Sequence, residues 1–433
     1  MKRLITEKLI DWKNSPDRQP LLLKGARQVG KTYVLLEEFG KKYYDNVVYL
    51  HFEGNTSTLH KIFEPDLNPK RIVEELSAYS RQTILPHKTL IIFDEIQACE
   101  QALTSLKYFC EEAPEYHIAA AGSLLGLAIN RGSFSFPVGK VQMMTMYPLT
   151  FEEFLLATGN DNLIGKIREA YASFSPMPDV YHDLAIELYR KYLVIGGYPA
   201  AVKTYLETES FDSVRAVQSN ISDAYIADMA KYATPNETVR SISIFNTLPA
   251  QLAKENNKFQ YSVIKNNARA KDYELSLQWL KAANVVLENK KVTEAKIPLS
   301  LYEQADSFKI YYSDVGLLCQ KSGTLPQDIL VSSPISDRAR GLLAENYVAE
   351  QLAALDKKLN YWESNGKAEV DFVLRSGDCI IPLEVKSSDN VRSKSLKLFV
   401  ERYSPEYSIR LSTKNFGFEN NIKSIPLYAI FCL

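Results

Sequence analysis

The sequence predicts an α/β protein of several domains, and three observations carry that prediction. Leu21-Leu22-Leu23-Lys24 is a short apolar strand that runs straight into Gly25-Ala26-Arg27-Gln28-Val29-Gly30-Lys31-Thr32 and then into a helical pattern over Thr32 to Phe39. Further along, Thr89-Leu90-Ile91-Ile92-Phe93 is a second apolar run that ends in Asp94-Glu95. Towards the C-terminus, a helical stretch carrying Glu345 is followed by two strand patterns holding Asp371 and Glu384-x-Lys386. The chain has 433 residues, 46% of them hydrophobic, too long for one compact core and ordinary for a globular protein.

The first stretch has the form G-x-x-x-x-G-K-T of a phosphate-binding loop. Gly25 and Gly30 allow the tight turn, so that the N–H groups of residues 25 to 32 and the positive end of the following helix face an anionic phosphate. Lys31 adds a point charge for the β- and γ-phosphates, and the Thr32 hydroxyl is a ligand for Mg²⁺. Ala26, Arg27, Gln28 and Val29 line the same loop. A pattern of this length also arises by chance as a Gly-rich turn, and the strand before it and the helix after it argue against that.

Asn46 to Phe52 reads as a second strand and Pro69 to Gln82 as a helix with Ile72, Val73, Leu76 and Tyr79 on one face. The strand ending at Asp94-Glu95 is then a Walker B element: Asp94 for Mg²⁺, Glu95 to orient and deprotonate the attacking water. His117 to Ala121 is a third run, closing on Gly122-Ser123, where Ser123 could sense the γ-phosphate or could serve only turn chemistry. A glutamate directly after the aspartate, with one strand intervening in sequence between the two motif strands, predicts a parallel sheet of the additional-strand, catalytic-glutamate type. No N-K-x-D motif for guanine occurs, which favours ATP. ATPases of this kind take an arginine from a neighbour, so a homo-oligomer is an expectation, with Arg131 and Arg27 as candidates that are equally well surface arginines.

Val141 to Met146 reads as the last strand of this domain, and Thr150 caps a new helix with Glu153 completing a capping box. Helical periodicity continues to about Thr234, broken at Gly196-Gly197-Tyr198-Pro199, a turn with no chemistry of its own. Three shorter helices and a β-ribbon (Val285 to Leu287, Phe308 to Tyr312) are the parts of a winged helix, either a DNA reader or a packing unit. Lys271, Gln278 and Lys281 are the only obvious base-reading candidates on its third helix.

In the last hundred or so residues, Asp371 and Glu384 lie towards the ends of two hairpin-connected strands, and Lys386 shares the face of Glu384. Two converging carboxylates repel unless a divalent cation lies between them, and a lysine can then activate water against a phosphodiester. This D…E-x-K order, with Glu345 as a helix-borne extra acid, is that of restriction-endonuclease-like enzymes. An amphipathic hairpin with a Glu–Lys ion pair would leave the same pattern. The segment from Lys386 to Lys423 is basic, which suits a DNA backbone.

The boundaries implied are 1–150 for the ATPase domain, 151–235 for a helical linker or lid, 236–328 for the winged-helix-like part and 329–433 for the nuclease-like α/β domain. Net charge is −1, so the overall balance neither predicts nor excludes nucleic acid. Five scattered cysteines suggest neither zinc nor disulfides, and the lack of a signal-peptide core or a long apolar run points to a cytoplasmic protein with no membrane partner.

With these elements in order, the chain resembles a widespread prokaryotic family of AAA-type ATPases that join a P-loop domain to a C-terminal domain of unknown function with a PD-(D/E)xK nuclease-like core. The resemblance rests on GARQVGKT (25–32), IIFDEIQ (91–97), AGSLLG (121–126), YPLTFEEF (147–154), IGGYPA (195–200), GLLAENYV (341–348), AEVDFVL (368–374) and IPLEVK (381–386). It implies ATP binding through Lys31, Thr32, Asp94 and Glu95, and a metal-dependent nuclease site at Glu345, Asp371, Glu384 and Lys386. One departure is Gly139-Lys140, where many relatives would have Gly-Arg; a lysine there lacks the planar fork of an arginine finger. Two functions follow: an ATPase coupled to DNA cutting or remodelling, or an ATP-dependent switch that binds DNA or protein through an inactive nuclease-like core.

Overall fold

The computed structural model describes residues 1–54, 57–123, 136–254, 257–331, 337–364, 366, 368–387 and 394–433. Arg131, part of AGSLLG and part of the basic segment after Lys386 lie outside them. The chain forms two compact units, Met1–Tyr147 with Ala282–Asn284, and Pro148–Lys281 with Val285–Leu433.

In the first unit five strands, β1 (Leu21–Lys24), β2 (Asn46–His51), β3 (Thr89–Asp94), β4 (His117–Gly122) and β5 (Gln142–Thr145), form one parallel sheet in the order β2-β3-β4-β1-β5. β3 and β4 are buried along their whole length, which explains their unbroken apolar runs: a parallel sheet covered on both faces has no polar side. β4 separates the phosphate-loop strand from the Asp94 strand, so the additional strand predicted from the Asp-Glu pair is present. Register places Lys24 beside Gly122 and Ala121 beside Asp94, which brings the ends of β1, β3 and β4 to one edge. The helix after the loop runs from Lys31 to Tyr43, but its middle, Val34–Gly40, is widened into π turns, which the sequence pattern did not signal.

In the second unit the helix Phe151–Ala157 begins at the predicted capping box, with Glu153 N–H donating to Thr150 Oγ1 at 3.2 Å and Thr150 N–H to Glu153 Oε2 at 2.9 Å. Helices Pro235–Leu252, Tyr261–Ile264 and Ala270–Ala282 precede an antiparallel ribbon of β6 (Val286–Val292) and β7 (Glu303–Tyr312). The ribbon is not a free wing. β6 also pairs in parallel with β8 (Asn360–Glu363), and β8 with β9 (Glu369–Val370), giving a four-stranded sheet β7-β6-β8-β9 that spans residues 286 to 370.

A second sheet holds β10 (Phe372–Ser376), β11 (Cys379–Val385), β12 (Ser408–Ser412), β13 (Gly417–Glu419) and β14 (Ile422–Pro426) in the order β10-β11-β12-β14-β13. β10 and β11 make the expected hairpin, and the helix Lys394–Tyr403 provides the crossover that the parallel β11–β12 pair requires. The strand predicted over 368–374 is interrupted at Asp371, where the chain leaves the first sheet and enters the second. Trp362, Val370, Val373 and Phe399 fill a core packed from both sheets and the crossover helix.

Gly196-Gly197 is a packing junction rather than a plain turn. Asp314 caps the helix Val315–Lys321 through Leu317 N–H at 2.9 Å and accepts Gly197 N–H at 2.6 Å. Burial pushes the Asp314 carboxyl up to about 6, against the pull of the backbone N–H groups it accepts.

Candidate functional site

The first site lies at the ends of β1, β3 and β4. Gly25 adopts φ 154°, and a Cβ there would meet the Met146 carbonyl oxygen at 2.2 Å. Gln28 at φ 65° and Gly30 at φ 95° complete a loop that a chain of ordinary residues would strain to adopt. Lys31 is buried, and its ammonium donates to the Gly25 and Ala26 carbonyls at 3.0 and 2.9 Å. Burial lowers its pKa to about 8; Glu95 and Asp94 pull the other way, and Arg27 adds to the lowering. A cation held against two loop carbonyls in this way is placed to exchange them for phosphate oxygens.

Thr32 lies in the first turn of the helix, and its hydroxyl donates to Asp94 Oδ2 at 2.9 Å. These two oxygens fit the donor set of a hard divalent cation, so Thr32 and Asp94 would hold Mg²⁺. Glu95 follows in the left-handed region at φ 50°, a costly conformation for a non-glycine residue and one common at functional sites. Its Oε2 accepts Gln97 Nε2–H at 2.5 Å. Ser123 is buried just past the end of β4, the strand that lies between β1 and β3. Ala26 and Val29 are buried with the loop, while Lys140 is paired with Glu111 at 3.0 Å.

Three contributors escaped the sequence reading. Arg3 is buried and donates to Val29 O at 2.8 Å and to Tyr147 O at 2.7 Å, tying the loop to the end of the unit's last segment. Tyr49 donates to Asp94 Oδ2 at 2.7 Å, and His51 Nδ1 lies 3.8 Å from the same oxygen. Tyr49 and His51 share one face of β2, beside β3, so strand periodicity plus a known partner strand was the available signal.

The second cluster lies where the two sheets of the second unit meet. Asp371 directly precedes Phe372, which pairs with Leu383, so Asp371 lies across the hairpin from Glu384. Its Oδ2 accepts Val385 N–H at 2.8 Å. Burial pushes the Asp371 carboxyl up to about 8, with the charge of Glu345 adding to the rise. Lys386 lies 3.0 Å from Glu384 Oε1, while Glu384 Oε2 is buried with no hydrogen-bond partner.

Glu345 is filled by the chain itself. Its Oε1 accepts Lys309 Nζ–H at 2.8 Å and the Tyr311 hydroxyl at 2.5 Å, and its Oε2 accepts Asn257 Nδ2–H at 2.7 Å. Lys309, on β7, is 0% exposed and also pairs with Glu369 at 2.6 Å. Burial favours its neutral amine, but the surrounding acidic groups, Glu345 foremost and Glu369 beside it, outweigh that and keep it charged. Among the described residues no group of three or more His, Cys, Asp or Glu side chains is arranged to hold a metal ion. The arrangement expected from Glu345, Asp371, Glu384 and Lys386 is therefore joined by a lysine that the linear motif does not contain.

Residues 17–155 match the model of a family described as an AAA domain. Residues 186–328 and 340–430 match two families described as domains of unknown function, DUF8612 and DUF4143. No curated protein matches the chain. Among solved structures it is similar to the Walker-type ATPase PABY2304 of Pyrococcus abyssi, at 15% identity over 73% of this chain and 94% of that one, with a TM-score of 0.43. It is also similar to the ORC2 protein of Aeropyrum pernix in its ADPNP–ADP complexes, at 12% identity over 79% and 94% of the two chains, with a TM-score of 0.39. The N-terminal unit is an AAA-type P-loop ATPase domain. No helix of the described residues is long and apolar enough to cross a membrane.

Proposed function

We propose that the protein is an Mg²⁺-dependent ATPase whose nucleotide cycle drives a C-terminal nuclease-like core acting on DNA. The observation that supports this most directly is the Thr32–Asp94 hydrogen bond of 2.9 Å with Glu95 next in the chain, since it gathers metal donors and a general base at one sheet edge. Bound there, Mg²⁺ would supply countercharge for the β- and γ-phosphates. Lys31 gives up its loop carbonyls to the phosphates, and Glu95, steadied by Gln97, takes the proton of the attacking water. Asp371 opposite Glu384, with Lys386 at 3.0 Å, supports the nuclease-like half of the reading.

DNA contact through the helix Ala270–Ala282 has less support, because Lys281 is held by Glu288 at 2.6 Å and β6 is tied to β8. The second reading, an ATP-dependent switch with a non-cutting core, is favoured by the pairing of Lys309 with Glu345. The test is ATP hydrolysis together with divalent-metal-dependent cleavage of plasmid and single-stranded DNA, comparing the full chain with Lys31→Ala and Lys386→Ala. Unchanged ATP binding in Lys31→Ala sinks the ATPase assignment. Hydrolysis without cleavage in both the full chain and Lys386→Ala turns the assignment to the switch.

A further inference from the structure

We infer that Lys309 is the built-in cation of the acidic cluster and keeps divalent metal out of the C-terminal core in the state described here. This deepens the nuclease-like reading and rests on it. Three acidic side chains, Glu345 on a helix, Asp371 between β9 and β10 and Glu384 on β11, come in the order that a metal-dependent nuclease would need, and Glu369 on β9 adds a fourth. Such a group buried together requires a countercharge, and in this chain the countercharge is an ammonium on β7.

Lys309 has no solvent contact, and its Nζ lies 2.8 Å from Glu345 and 2.6 Å from Glu369. The remaining acceptor capacity of Glu345 goes to Tyr311 and Asn257. A divalent ion that used Glu345 would have to displace all three donors and sit beside a fixed positive charge. Glu384 Oε2, buried and unpartnered, marks the acceptor that such an ion would still find. The donor set of Asp371 and Glu384 alone is thus metal-capable in chemistry and opposed by Lys309 in electrostatics. Nothing in the E-x-K motif could reveal this, because Lys309 belongs to a different segment of the chain and arrives only through the β6–β7 ribbon.

The test is a nucleotide-free Mn²⁺ titration of the full chain by calorimetry and electron paramagnetic resonance, with Asp371→Asn identifying the C-terminal site. Wild type is expected to show no Asp371-dependent Mn²⁺ binding below about 1 mM, and Lys309→Met to gain one equivalent at least about tenfold tighter, lost again in Lys309→Met/Asp371→Asn. Mn²⁺ should also raise the thermal stability of Lys309→Met by more than that of Lys309→Met/Asp371→Asn. If Lys309→Met does not fold, Lys309→Met/Glu345→Gln removes the ion pair as a unit and is read in the same way.

Tight Asp371-dependent binding in wild type overturns the inference, and so does a folded Lys309 variant that gains no site. DNA cleavage is scored separately. A variant that gains Mn²⁺ without cutting keeps the inference and removes the nuclease reading; a wild type that binds Mn²⁺ at Asp371 and cuts does the reverse.

Discussion

The Thr32 hydroxyl donates to Asp94 Oδ2 at 2.9 Å, so residues from two motifs on separate strands share one oxygen pair at the sheet edge. Glu95 stands next to that pair without belonging to it: its carboxylate is engaged by Gln97 and makes no bond to Thr32 or Lys31 in the contacts described. Binding and hydrolysis should therefore separate. Glu95→Gln is expected to lower the ATP hydrolysis rate by about 10² to 10⁴-fold, the usual weight of a general base, with ATP affinity changed by less than about threefold. Single-turnover hydrolysis and equilibrium binding of labelled ATP would check it. A rate within about fivefold of wild type removes the general-base role from Glu95.

Arg3 should matter to a loop more than twenty positions away. Its guanidinium bridges Val29 O and Tyr147 O, and its removal leaves two carbonyls without their charged donor. Arg3→Ala is expected to destabilise the N-terminal unit by about 3 kcal/mol and to weaken ATP binding by about tenfold, with the rate at saturating ATP little changed. Denaturation followed through Trp12, together with ATP titration, separates the two effects. A loss of saturating rate with unchanged affinity would contradict a bracing role.

Features written in a few adjacent residues are legible in both units, whereas those that depend on contacts distant in sequence are not. β1, the phosphate loop, β3 and the capping box at Thr150 are each written in a few adjacent residues, so the apolar runs and the Gly, Thr and Asp punctuation carry them directly. Arg3, Tyr49 and Lys309 act on residues distant in sequence: the sheet order brings in Tyr49, the ribbon brings in Lys309, and Arg3 reaches the loop from the segment before the first helix. The Asp371 strand reads as continuous in the sequence because Glu369 to Phe372 alternates polar and apolar and runs on into apolar Val373 and Leu374. The transfer of the chain between two sheets at Asp371 is a tertiary event with no turn residue to announce it. Gly196-Gly197 was legible as a turn, but its tie to Asp314 was not.

That tie predicts the cost of filling the turn. A Cβ on Gly197 would lie 2.1 Å from Leu149 O and 2.8 Å from Leu149 N, both backbone atoms that cannot swing aside. Leu149 N–H already donates to Gly197 O at 2.6 Å, so relief of the clash breaks that bond and loosens Asp314. Gly197→Ala is expected to cost about 3 kcal/mol or more in the second unit, with ATP affinity at the first site retained. Trp279 and Trp362 fluorescence during denaturation measures it. A change below about 0.5 kcal/mol would mean that the junction yields more easily than its packing implies.

His117 is expected to make the first unit sensitive to acid. It opens β4 with its Nδ1 at 2.8 Å from the Tyr44 hydroxyl and its Nε2 buried without a partner, and Trp12 and His87 pack edge-on against it. Burial, reinforced by the charges of Arg18, His87 and Lys13, lowers its pKa to about 3. An unfolded histidine titrates near 6.5, so as pH falls below about 6.5 the unfolded chain takes up a proton that the folded chain refuses. The neutral ring's contribution is thus complete above about 6.5 and declines by about 1.4 kcal/mol per pH unit on the way down to its folded pKa. Between pH 6.5 and 5, before most carboxylates titrate, wild type should lose about 2 kcal/mol more than His117→Gln. Urea denaturation at several pH values, read through Trp12, provides the comparison. Parallel pH profiles for the two proteins would show that the ring accepts its proton in the folded state and that the β4 edge opens to water.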